Sequence, residues 1–194
     1  MDAQATTRER IVQAAMELFW RKGYGSTSIA DILETAKVNS GSLYYFFKGK
    51  QELLIAVLEA YRDGIWPMLL EPSWGEIDDP VEKIFALLGT YRRLLVQSDC
   101  LYGCPIGSLA LELHEPDPEV RELIAANFAG WTEAVKDCLD VSGLTQGTDT
   151  QGLAELVLTV MEGAVMQTRT YRDIGHYDRA IAQLRNYLDC LRPG

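Results

Sequence analysis

No stretch of this sequence approaches the roughly 18 consecutive apolar residues of a membrane-spanning helix, so a helical membrane protein is excluded as the reading. The N-terminal segment MDAQATTRER is polar and carries acids, unlike the basic and then apolar start of a secretory signal, and the cytoplasm is the default expectation. Cysteine is sparse. The four thiols, Cys100, Cys104, Cys138 and Cys190, lack paired metal spacing, and a chain of 194 residues needs no disulfide staples, so reduced thiols are expected. Histidine is scarcer still: only His114 and His176 occur. His114 has Glu112 and Glu115 nearby but no second His or Cys at helical spacing, which points to a solvated helix end rather than a metal site. Period-two alternation, internal repeats and low-complexity tracts are also missing, so no strand is predicted. Gly23-Tyr24-Gly25 lacks the third glycine and the preceding strand of a dinucleotide loop, and there is no HExxH, Walker loop or nucleophile elbow. Neither an enzyme nor a cofactor protein is expected.

What remains is a helical pattern with enough apolar content, 47%, to bury a core. From Thr7 to Lys22 the residues Ile11, Ala14, Ala15, Leu18 and Phe19 recur at helical spacing, and Gly23 stops the helix. Thr27 is the expected N-cap of a second helix with Ile29, Ile32, Leu33 and Ala36 on its inner face. Asn39 or Ser40 caps a third, with Leu43 and Phe47 inward. The last two are joined by a very short turn, which makes a helix-turn-helix arrangement. A fourth helix runs from about 50 to 67. Asp79-Pro80 and Asp117-Pro118 each combine an Asp cap with a first-turn Pro and open two long helices. The shorter PIGSLALEL lies between them. Two further helices follow, Leu153–Asp173 and Tyr177–Leu191, so about nine are predicted and the fold class is all-α. Charge follows the same division. Residues 1–50 hold seven Lys and Arg against five Asp and Glu, a charge of +2, whereas the remaining 144 carry −12, which leaves the chain at −10. A mildly basic head thus precedes an acidic body.

The segment TRERIVQAAMELFWRKGYGSTSIADILETAKVNSGSLYYFFKGKQELL resembles the DNA-binding domain of the TetR family of transcriptional regulators. The likeness is nearly continuous from Thr7 to Leu54, through an AAxxLFxxKGYxxTS block, an IxxxAxV block and a GSLYYFF-K-x-K-xELL block. It implies a helix-turn-helix DNA-binding domain over 1–50 and a helical ligand-binding and dimerisation domain over 51–194, linked by the fourth helix. By that resemblance Ser40, Ser42, Tyr44 and Tyr45 face the major groove, Thr27 and Ser28 start a helix whose N–H groups and dipole favour a phosphate, and Lys48 and Lys50 add charge beside the fourth helix. The sequence departs from the commonest family pattern at Asn39-Ser40 and at Gly49. The implied partners are a near-palindromic double-stranded DNA operator, a second copy of the chain paired through the last two helices, where Gly163, Ala164, Ala180 and Ala182 permit close packing, and a small effector. A repressor is the implied role.

Trp66, Met68, Tyr91, Tyr102, Cys104, Phe128, Trp131, Met161, Met166 and Gln167 lie in helices expected to surround the body's core, where family pockets are built. Their composition favours a largely apolar effector. Within CLYGCPIGSLALELH, Cys104 stands at a helix start, which can lower a thiol's pKa and make it reactive. A similar Gly-Cys-Pro-Ile/Leu-Gly stretch occurs in a subset of the family, some members of which sense quinones, flavonoids or electrophiles. Two roles stay open for Cys104: a small buried hydrophobe, or the thiol of a redox or electrophile sensor.

Overall fold

In a computed structural model the described residues are 6–192; the first half of the polar N-terminal segment lies outside them. Ten α-helices and one π-helical turn make up the regular structure there: α1 Thr7–Lys22, α2 Ile29–Ala36, α3 Ser40–Phe46, α4 Lys50–Ile65, the π turn Trp66–Leu70, α5 Glu71–Trp74, α6 Pro80–Gln97, α7 Pro105–Glu112, α8 Pro118–Asp140, α9 Thr150–Tyr171 and α10 Gly175–Cys190. The four-residue α5 is the helix that sequence periodicity passes over. Pro67 has no N–H for the helical ladder, and α4 gives way to the wider π turn at that point. The chain forms two compact units: residues up to Asp63 with Pro105–Asn127, and Gly64–Cys104 with the chain from Phe128 onward.

In the first unit, α1 opens on a capping box in which Thr6 and Glu9 satisfy each other's backbone N–H groups. Gly23, at φ +86°, ends it in a conformation that L side chains rarely adopt. The expectation for α2 needs correction by one residue. Its N-cap is Ser28, which exchanges hydrogen bonds with Asp31. Thr27 is instead buried, 1% exposed, and its hydroxyl donates to the carbonyls of Gly23 at 2.7 Å and Leu18 at 3.3 Å. Burial won over capping because Thr27 sits where the loop turns back over α1.

Two further ties hold this unit. Glu112, at the end of α7, accepts the backbone N–H groups of Tyr24 at 2.9 Å and Gly25 at 2.5 Å. The buried Asn127 amide donates to Leu58 of α4 at 3.0 Å and to Leu123 at 2.9 Å.

In the second unit α9 packs closely on α10, and α10 meets α6 through Tyr177, a buried ring whose hydroxyl donates to the Leu88 carbonyl at 2.8 Å. Three ion pairs fasten α10 and the residues after it to α6 and its cap: Arg92 with Asp178, Arg185 with Glu82, and Arg192 with Asp79. Arg185 also lies 3.7 Å from the Phe85 ring centroid.

Two expected outcomes follow from these contacts. Thr27→Val keeps the buried shape and removes the hydroxyl donor, so urea denaturation should show about 1 kcal/mol less stability. The second concerns acid. Hydrogen bonds from Arg185 and Arg92 hold the Glu82 and Asp178 carboxyls below their ordinary pKa. Carboxylates depressed on folding stabilise fully above their unfolded pKa and lose that stabilisation as pH falls through the folded one. Stability measured from about pH 5 down to about pH 2 should therefore fall, and Arg92→Met with Arg185→Met should flatten part of that slope. These pairs are partly exposed, so each contributes no more than about 0.5 kcal/mol.

Candidate nucleic-acid interface and a buried polar cluster

A seven-residue helix has too few hydrogen bonds to persist alone in water, and α3 is held by three anchors. Asn39 caps it, accepting the Ser42 N–H at 2.8 Å, while Leu43 and Phe47 are buried beneath it. The anchors fix which face is left over. Ser40, Tyr44 and Tyr45 are exposed, Tyr45 to 82%, and Ser42 is half-buried with its hydroxyl donating to Asn39. Phe46, not singled out from the sequence, is exposed as well and meets the Tyr45 ring edge-on at 4.9 Å.

Basic groups flank this face. Lys48 is exposed beside Glu52, whose carboxylate accepts the Lys48 N–H at 2.9 Å. Lys50 is half-buried, with Nζ 4.3 Å from the Tyr24 ring centroid; burial lowers its pKa, and the Glu112 carboxylate opposes that shift. Ser28 is exposed at the start of α2, but its N–H and hydroxyl both donate to Asp31, so a carboxylate already stands where a phosphate was expected. Thr27, counted from sequence among the DNA contacts, is closed off by its burial.

The residues expected to line a ligand pocket, all in the second unit, separate into distinct places. Tyr91, Cys104, Trp131 and Met161 are buried, and Tyr102 and Phe128 are half-buried. Tyr91, Cys104 and Trp131 meet Glu162 and Tyr177 in a polar cluster. The Tyr91 hydroxyl is pushed well above its ordinary pKa, first by burial and then by the nearby Cys104, Glu162 and Tyr177. The Trp131 indole N–H lies near that hydroxyl yet makes no hydrogen bond of proper geometry. The Cys104 thiol bonds to Glu162, whose pKa is raised by burial. Glu162 was missed from the sequence, although a single acid in LVLTVMEGAVM, beside the buried Met161, was a readable signal. The preceding loop is pinned by α9, with Arg172 donating to the Cys100 carbonyl at 2.8 Å and Arg169 to that of Leu101 at 3.2 Å.

Trp66 and Gln167 lie elsewhere. Trp66 is 55% exposed and lines a separate groove of about 390 Å³ with Trp74, Lys83 and Cys138. Gln167 is exposed on the outer side of α9, as is Met166. Helical phase puts Gln167 on one stripe with the exposed Leu156 and with Gly163, above whose Cα there is open space. On α10, Ala180 and the exposed Tyr187 are seven residues apart on one face. Ala164, expected on the pairing surface, is instead buried. Among the described residues no helix is long and apolar enough to cross a membrane.

Comparison with known proteins agrees with this arrangement. Residues 11–57 match the bacterial regulatory proteins of the tetR family, and residues 80–183 match the C-terminal domain of LmrA/YxaF-like transcriptional regulators. An uncharacterized HTH-type transcriptional regulator of Mycobacterium tuberculosis is 30% identical over 187 residues, covering 93% of both chains. The HTH-type transcriptional regulator LmrA of Bacillus subtilis is 27% identical over 86% of this chain and 88% of its own. The crystal structure of a TetR transcriptional regulator from Chloroflexus aurantiacus, 27% identical, superposes with a TM-score of 0.81 over 94% of each chain. An N-terminal helix-turn-helix with an exposed aromatic face, joined to this kind of C-terminal domain, makes the chain a DNA-binding transcriptional regulator of the TetR family.

Proposed function

We propose that this regulator is a cytoplasmic, homodimeric repressor, released from a near-palindromic operator by a small effector with a largely apolar body. The exposed Ser40, Tyr44 and Tyr45 face of α3 carries the reading. Short hydroxyls approach base edges and phosphates, and tyrosines reach the backbone. Ser42, Lys48 and Lys50 supply further contacts, and Ser28 does so only where a phosphate displaces the Asp31 carboxylate. The DNA-binding domain occupies 1–50, and 51–194 forms the ligand-binding and dimerisation domain. The effector contacts Tyr91, Cys104, Trp131 and Met161, with Tyr102 and Phe128 at its edge.

Two heads are needed because one reads too few base pairs, and helix-turn-helix dimers read half-sites about 34–36 Å apart or multiples of that. The stripe of Leu156, Gly163 and Gln167 on α9, with Ala180 and Tyr187 on α10, is the pairing surface: exposed apolar side chains beside small residues let two copies approach closely. Release works through α4. An effector that prefers the dimer with the wrong head spacing by about 1.4 kcal/mol weakens operator binding tenfold, whereas one bound equally by both states changes nothing. Cys104 serves as part of the pocket wall in this reading, in keeping with its burial.

The pairing surface gives the test. The double variant Leu156→Glu, Tyr187→Glu places charges on exposed positions, so the protomer should keep its helical spectrum. Sedimentation should show a monomer, and affinity for an operator recovered by genomic selection should fall at least about a hundredfold through loss of bivalency. A variant that stays dimeric and binds as tightly as the unaltered protein would place the pairing surface elsewhere.

A further inference from the structure

The second unit contains a carboxylate with too few partners. Glu162 Oε1 is buried and meets no hydrogen-bond donor. No ion pair to Glu162 occurs among the described residues, and the Cys104 thiol hydrogen-bonds to it. An ionised carboxylate taken out of water is costly unless it is paired. The helix around it gives no compensation, since Met161, Ala164 and Val165 are apolar and buried.

Its surroundings are aromatic. Tyr91, 8% exposed, feels Glu162, Cys104 and Tyr177, and lies beside Trp131, 4% exposed. The indole N–H of Trp131 is itself buried without a partner. Rings present electron-rich faces to cations, and cation–π attraction strengthens when the site is desolvated. Glu162 keeps part of its surface on solvent, so the group is not sealed. Residues 51–194 carry a charge of −12, which draws cations toward the body and repels anions.

We infer that the effector of this regulator is an organic cation, an apolar body carrying one protonated or quaternary amine that pairs with Glu162 beside Tyr91 and Trp131. The inference rests on the ligand-responsive reading above and names the effector's chemical class. A neutral alcohol would satisfy the unpaired oxygen with a hydrogen bond but would leave the charge uncompensated. A carboxylate ligand would face like-charge repulsion at close range.

The test is a matched series on the full-length protein: 4-phenylbutylamine, 4-phenylbutanol and 4-phenylbutyrate, together with the shorter 2-phenylethyl trio, each titrated by calorimetry. The amine should bind at least tenfold tighter than the alcohol of its size, and the carboxylate weakest. Glu162→Gln keeps the shape and removes the charge, so it should erase the amine preference, bringing the amine and alcohol affinities within about twofold of each other. No preference for amine over alcohol in the unaltered protein, in either size class, overturns the inference whether or not the variant folds. So does a preference that survives Glu162→Gln. Operator affinity measured with and without the amine separates the two readings. Tight amine binding with unchanged DNA affinity keeps the cation site but overturns its assignment to the effector. DNA binding that responds to other molecules but not to the amine keeps the ligand-responsive reading and overturns the inference.

Discussion

The exposed face of α3, proposed above to read DNA, depends on the anchoring of that helix. Seven residues cannot hold a helix in water without tertiary support, and a face offered to a partner cannot be buried. Both demands are met because Leu43 and Phe47 are buried and Asn39 closes the first turn, leaving the serine and tyrosine side to solvent. Burying such side chains contributes about 1.5–3 kcal/mol each, enough to hold a short helix that presents polar groups. Around it Thr27 ties the loop to α1, Arg10 donates to the Ala36 and Lys37 carbonyls at the end of α2, and Glu112 binds the turn at Tyr24 and Gly25. The head is a scaffold built to keep one weak helix in register.

Glu112 links this scaffold to later parts of the sequence. It ends a helix that begins at Pro105, next to Cys104. Asn127 holds α4 to α8, and α8 continues from there toward Trp131. Both ties use fixed hydrogen bonds rather than sliding apolar contacts, so they resist small displacements.

Much of the fold was legible because helical periodicity and its punctuation agree. Apolar spacing gave α1 and α3, and Asp79-Pro80 marked the start of α6, whose Asp79 side chain accepts the Val81 and Glu82 N–H groups. The TetR resemblance supplied the role proposed for α3, which periodicity could not. What escaped was decided by phase and by three-dimensional neighbours. Thr27 and Ser28 are both acceptable caps in sequence, and only the packing of the loop over α1 chooses between them. Gln167 and Met161 belong to one helix, six residues apart, yet Met161 is buried and Gln167 faces out. Glu162 escaped for the opposite reason: acids are usually solvated, so one among apolar residues is easily taken for a surface group.

The most direct measurement is a salt-titrated binding isotherm of the purified protein on the DNA upstream of its own gene, against a scrambled duplex of equal composition. If α3 reads bases while flanking lysines and amides hold phosphates, the native duplex is bound at least about a thousandfold tighter at physiological salt. The logarithm of its affinity then falls linearly with log salt, with a slope near −0.9 for each phosphate contacted. Equal affinity for both duplexes, with little dependence on salt, would contradict the account.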